Sequence, residues 1–320
     1  MVVARLKERF SALRHGGVAE DPFDPEFFAR LDRIRIRFGH AHGRRAGETP
    51  VRGLTQDSGI EIESFKSYAP GDDIRYVDWN AVGRLDQLLT RRFVAEREIP
   101  VHVLLDASGS MAAPAADRKF LFGVRLAAAL AYIALNNNEP VRITTLRTDG
   151  SGPLLQESPL LRHHGRYPAL KPFLAGLAAS GGTALADGAR AYVERHGEGG
   201  MAFLVSDFLV DDPVYEDALT RLRAKRLDVS AVHVIGRRER DPEGLRGRLR
   251  LRDAETGAFR DVTLGEADRR RYRDDFEERV ARLRRFCHRS GIGHAVAFAE
   301  HGVERNLVAG FATQGMLRLR

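Results

Sequence analysis

The chain has 320 residues, of which 43% are hydrophobic and 30% charged, ordinary globular usage that excludes a disordered chain and exceeds a minimal module. No run approaches the roughly 20 consecutive apolar residues that a membrane helix needs, and the opening MVVARLKERFSALRHGG has no uninterrupted apolar signal core, so a cytoplasmic protein with no membrane span is expected. The net charge of +7 does not single out nucleic acid as a partner, because the arginines alternate with acids in stretches such as RRRYRDDFEERVARLRRF, the pattern of a solvated helix face.

Residues 1–99 read as a charged lead, a helix and a small β-rich region. DPEFFARLDRIRIRFGHA has the helical period, with Asp24 as cap, Pro25 in the first turn, and Phe27, Leu31, Ile34 and Phe38 on one face. From Gly59 to Glu98 the alternating stretches IEIESFKSY and LLTRRFVAERE are separated by the turn APGDD and by DWNAVGRLD.

Residues 100–320 alternate strand and helix, which predicts an α/β fold with a doubly wound, mostly parallel sheet. Strands are expected at VHVLLD, VRITTL, the short edge strand PLLQE, MAFLVSD, DVSAVHVI and HAVAFAE. Helices are expected at KFLFGVRLAAALAYIALNN, YPALKPFLAGLAA, LADGARAYVERH, VYEDALTRLRAKR and EADRRRYRDDFEERVARLRRFCHR. RGRLRLRDAETGAFRDVTL turns at Ala-Glu-Thr-Gly and reads as a hairpin inserted before the last long helix. The single cysteine, Cys287, excludes an intramolecular disulfide and reads as a packing residue of that helix.

Ligands of open α/β sheets bind beyond the carboxyl ends of the strands, and three polar groups fall there. Asp106, Ser108 and Ser110 follow VHVLL; Gly181 and Gly182 bring Thr183 into the loop before a helix; Asp207 ends LVSD. Carboxylates and hydroxyls without thiolate or imidazole make a hard-oxygen set, suited to Mg²⁺, Mn²⁺ or Ca²⁺ rather than zinc or copper. Taken alone, Asp106 can cap the next segment and the serines can satisfy turn amides. Their order at successive strand ends favours a cation, because two carboxylates converging at the ends of apolar strands are costly without one.

DASGSM, GGTAL and VSDF resemble the metal-ion-dependent adhesion site of von Willebrand factor A domains, and all five positions match. The resemblance implies that Ser108, Ser110 and Thr183 bind the ion directly or nearly so, with Asp106 and Asp207 as ligands or acting through water. It also implies an open coordination position that takes a carboxylate from a binding partner, which is adhesion and not turnover. YAPGDDIRYVDWNAVGRLDQLLTRRFVAEREIPVHVLLDASGSM resembles the hallmark block of the domain of unknown function 58 family. Members often carry two membrane helices near the N-terminus, which this sequence lacks. That resemblance implies a MoxR-type AAA+ ATPase as partner, in chaperone-like maturation or assembly of other proteins.

Other readings compete. The same oxygens could hold Mg²⁺ and a phosphate ester for phosphoryl-transfer or hydrolytic chemistry, but no general base is recognisable beside them and there is no Walker A pattern. Asp72, Asp73, Asp78 and Trp79 could form a second cation site or partner surface; the plainer reading has the acids capping turns, Arg75 pairing with Asp73 or Asp78, and Trp79 as an anchor. Asp149 reads as a turn acid, His163 and His164 as loop histidines with no supporting ligand, and His102 and His233 as strand residues. The arginine block from Gly236 to Arg252 lacks the interleaved aromatics of single-strand binders.

Overall fold

The computed structural model describes residues 25–32, 34–36, 62–85, 87–93, 98–196, 199–242, 245–312 and 317–319. Pro25–Leu31 forms helix α1 and Ile34–Ile36 strand β1. Strands β2 (Ile62–Ser67) and β3 (Leu89–Phe93) flank helix α2 (Trp79–Leu85). Strand β4 (Val101–Asp106), helix α3 (Lys119–Asn136), strands β5 (Val141–Thr148) and β6 (Pro153–Glu157), and helices α4 (Lys171–Gly176) and α5 (Leu185–Arg195) follow. Next come β7 (Gly200–Ser206), α6 (Asp212–Ala224), β8 (Leu227–Ile235), α7 (Arg237–Arg240), and the hairpin of β9 (Gly247–Arg252) and β10 (Phe259–Leu264). Helix α8 (Glu266–Arg289), β11 (Gly293–Phe298), α9 (Val303–Asn306) and β12 (Leu317–Leu319) complete the described chain.

Six strands form one sheet in the order β11-β8-β7-β4-β5-β6, parallel throughout except for the antiparallel edge strand β6. This is the doubly wound, mostly parallel α/β sheet that the strand–helix alternation predicts. Every residue of β4 and β7 is buried, which is why both strands are apolar at consecutive positions instead of alternating. Helix α3 packs on the sheet with nearly its whole surface covered, and its small residues permit close approach: a Cβ on Gly123 would lie 2.9 Å from Leu105. By length and composition the segment Ala115–Asn136 could span a bilayer, but 83% of its apolar window is buried inside the fold, as in the core helix of a globular domain.

The chain divides into two compact units, Met1–His42 with Ile99–Arg320, and Gly43–Glu98. Phe27, Leu31 and Ile34 are buried in the core of the larger unit, Phe28 stacks on Tyr132 at 4.5 Å, and the Tyr132 hydroxyl donates to Asp32 at 2.8 Å. The N-terminal helix therefore goes with the sheet domain and not with the β-rich region. It is also shorter than its sequence predicts. Ile34–Ile36 is a strand paired antiparallel with Leu317–Leu319; Ile-Arg-Ile alternates with period two, and its partner Leu-Arg-Leu supplies the ladder bonds. Asp24 and Phe38 lie outside the described residues.

YPALKPFLAGLAA is likewise not one helix but a 3₁₀ segment, His164–Leu170, running into α4. Pro168 and Pro172 lack the N–H groups that a continuous α-helical ladder would use.

In the smaller unit β2 and β3 pair antiparallel, and the separating segment DWNAVGRLD contains the helix α2. Asp78 caps it, accepting from the Asn80 and Ala81 amides. Asp72 accepts from Lys66 and the Ala69 amide, and Asp73 from the Arg75 amide and guanidinium, so these acids hold turns. Trp79, read as an anchor, is 66% exposed.

Candidate functional site

From β4 the chain proceeds to β5 on one side, and after β6 it crosses to β7 on the other. The carboxyl ends of β4 and β7 therefore border the crevice where strand order reverses, the position at which open α/β sheets bind ligands. Asp106 ends β4 and Asp207 follows β7, with exposures of 0% and 2%.

The two ends are joined by hydroxyls. The Ser108 amide donates to Asp106 Oδ1 at 3.0 Å and the Ser206 hydroxyl to Asp106 Oδ2 at 2.6 Å. Ser108 Oγ and Ser110 Oγ lie 3.0 Å apart, and Ser110 Oγ donates to Asp207 Oδ1 at 3.4 Å. The Gly-Gly-Thr loop is pinned to the same place: the Gly109 amide donates to Gly181 O at 2.9 Å, the Ser180 amide to Ala107 O at 2.8 Å, and Thr148 and Gly182 exchange both backbone bonds. Gly181 has φ of +76°, and a Cβ there would fall 2.2 Å from Thr148 O, so that turn requires glycine. Thr183 is thus carried to the Asp106 loop by its backbone, while its own hydroxyl and amide go to Glu255, at 2.5 and 3.1 Å.

Three residues of this cluster escape the sequence reading. Lys119, at the first turn of α3, has a fully buried side chain whose ammonium donates to Asp207 Oδ2 at 2.7 Å and to Glu239 Oε1 at 2.6 Å. Glu239 accepts from the Gly236 amide through its other oxygen. Burial works against the Lys119 charge, but Asp207 and Glu239 outweigh it and hold the ammonium above its ordinary value. Burial, reinforced by the charge of Asp207, lifts Asp106 to about 6; burial likewise lifts Glu239 to about 7 against the pull of Lys119. A lysine opening the apolar run KFLFG is the available signal, because a lysine is almost never fully buried without a partner. Glu239 is hidden among arginines in GRRERD, and Glu255 sits in the hairpin turn.

The donor set fits a hard divalent cation. Octahedral Mg²⁺ with oxygens at about 2.0–2.1 Å has neighbouring ligand oxygens roughly 2.9 Å apart, and the Ser108–Ser110 and Ser110–Asp207 oxygen pairs are 3.0 and 3.4 Å apart. When ionised, Asp106, Asp207 and Glu239 against Lys119 leave two negative charges, the amount one such cation offsets. Asp106, whose two oxygens each accept a hydrogen bond already, keeps further lone pairs for an ion or its water. Among the described residues no three His, Cys, Asp or Glu side chains cluster as a metal site, so a cation here depends on the hydroxyls.

The residues set aside from the sequence are placed elsewhere. Asp149 accepts from the Ser151 amide and hydroxyl, and His163 and His164 are exposed. His233 is fully buried, and burial with the nearby His294 drives its pKa down to about 3. Cys287 is buried and its thiol is pushed up to about 12.

The family profile described as "Protein of unknown function DUF58" matches residues 64–285. An uncharacterised protein of Mycobacterium tuberculosis is 28% identical over 283 residues, covering 85% of this chain and 82% of its own, and an uncharacterised protein of Mycobacterium bovis matches equally. Among solved structures, the conserved hypothetical protein BatB from Bacteroides thetaiotaomicron is 15% identical with a TM-score of 0.36, covering 68% of this chain and 98% of that one. An aerotolerance-related membrane protein from Bacteroides fragilis is 17% identical with a TM-score of 0.33, covering 56% and 88%.

Proposed function

The chain belongs to the DUF58 family, and we propose that it is a non-enzymatic, metal-dependent protein-binding module. Asp106, Ser108, Ser110, Thr183 and Asp207 hold one Mg²⁺ in a site of the von Willebrand factor A adhesion type. The ion supplies an electrophilic position for a carboxylate of a partner protein. The observation that carries this reading is the meeting of the local Asp106, Ser108 and Ser110 group with Asp207, 97 residues beyond Ser110, at the crevice between β4 and β7, with the serine and aspartate oxygens at spacings suited to one small cation. Lys119 strengthens it: by balancing one oxygen of Asp207 it reduces the full charge facing the ion, which leaves the cation able to attract a further anion. The family resemblance of the block from Tyr68 to Met111 supports a MoxR-type AAA+ ATPase as the partner, with this chain as accessory in protein maturation or assembly.

Titration calorimetry tests the site. Wild type is expected to bind Mg²⁺, with Mn²⁺ and Ca²⁺ as comparisons, and folded Asp106→Ala to bind none. A folded wild type with no divalent binding sinks the proposal.

A further inference from the structure

We propose that Glu255, at the tip of the β9–β10 hairpin, is this chain's own acidic ligand for the site, seated where a partner's carboxylate must bind, so that partner binding requires the hairpin tip to lift. The inference rests on the metal-binding reading above. Asp106, Ser108 and Asp207 are buried, whereas Ser110 and Thr183 are half-buried and form the accessible side of the set. Glu255 covers Thr183 on that side, one carboxylate oxygen taking its hydroxyl at 2.5 Å and the other its amide at 3.1 Å.

The tip is fitted to the site by backbone as well. A Cβ on Gly109, inside the Asp-Ala-Ser-Gly-Ser run, would stand 2.3 Å from Ala254 O, so the hairpin carbonyl occupies the space a side chain would need. A Cβ on Gly182 would lie 3.7 Å from Glu255 Oε2. Asp253 shapes the turn, its Oδ1 accepting from the Glu255 and Thr256 amides at 2.9 and 2.7 Å. Glu255 is thereby aimed by a built turn and not by a free rotamer.

Charge distinguishes a ligand from a staple. Asp106, Asp207 and Glu239 already outnumber Lys119, and a further carboxylate brought to the same cluster is unfavourable unless a cation takes its charge. The attachment is also light. Among the described residues β9 and β10 pair only with each other, and most of their side chains are exposed, none of them fully buried; a lone two-stranded hairpin is marginal by itself. Its tip contacts are what a competing carboxylate would replace.

Mn²⁺ affinity, read by electron paramagnetic resonance and calorimetry, tests this on wild type, Glu255→Ala and Glu255→Gln, with acetate as the free carboxylate and hydrogen exchange of residues 247–264 followed in parallel. Wild type is expected to bind Mn²⁺ indifferently to acetate, because the position is filled. Both variants should bind about tenfold more weakly, and acetate should restore Glu255→Ala toward wild type. A weakened Glu255→Gln whose hairpin amides keep wild-type protection places the effect on the charge and not on the fold of the tip. Wild-type affinity in both variants, or an equal acetate response in all three, overturns the role of Glu255 while leaving the metal site standing. Absence of Mn²⁺ binding by folded wild type removes the site and this inference together.

Discussion

Lys119 is the residue on which the charge balance of the crevice turns. Its ammonium bridges Asp207 and Glu239 with no exposed surface, and removing one member of a buried ionic group leaves the others uncompensated, at a cost of about 3–5 kcal/mol. Lys119→Met is therefore expected to lower stability by that amount in metal-free urea denaturation, and pairing it with Glu239→Gln to recover part of the loss. If the single variant matches wild type, the bridge is not as drawn. At this scale Asp106, Ser108 and Ser110 are legible because their spacing is local. Lys119 is not, because its partners lie 88 and 120 residues away and nothing periodic marks them.

The strands and helices carry their own dependences. Strands β4, β8 and β11 each hold a buried histidine, His102, His233 and His294, and burial lowers all three, to about 4, 3 and 4. Folded, they stay neutral; unfolded, they protonate near 6.5. The unfolded chain thus binds more protons, and stability falls as pH drops from about 6.5 toward 4. Asp106 and Glu239 act oppositely: raised to about 6 and 7, they add stability below about pH 4 that is lost as pH rises through those values. The two effects separate in a comparison of variants. Wild type is expected to lose about 2 kcal/mol more than His102→Gln between pH 7 and pH 5, from the one and a half pH units below 6.5; parallel losses would mean that His102 protonates in the folded state. In α3, Leu130 is fully buried, and Leu130→Ala should cost roughly 2–5 kcal/mol by denaturant midpoint. Apolar periodicity made these elements legible, but it misplaced Ile34–Ile36, since a three-residue strand gains its ladder only from the distant Leu317–Leu319.

For the whole molecule, a ligand that binds only the folded state stabilises it by mass action, by roughly 2.7 kcal/mol at a hundredfold excess over its dissociation constant. Calorimetric melting in Mg²⁺ should therefore raise the transition of the larger unit by several degrees over EDTA, with no rise for Asp106→Ala. An equal rise in both would assign the effect to another site. The strand–helix alternation, the mostly parallel sheet and the strand ends that carry Asp106 and Asp207 are legible from the chain alone, as is the glycine loop that holds Thr183, because apolar period, glycine placement and strand-terminal acids are properties of neighbouring residues. That the N-terminal helix joins the sheet domain, that Lys119 balances Asp207 at 2.7 Å and that Glu255 covers Thr183 emerge on folding alone. Those outcomes depend on hydrogen bonds and charges between segments far apart in the chain, and such interactions leave no local pattern from which to read them.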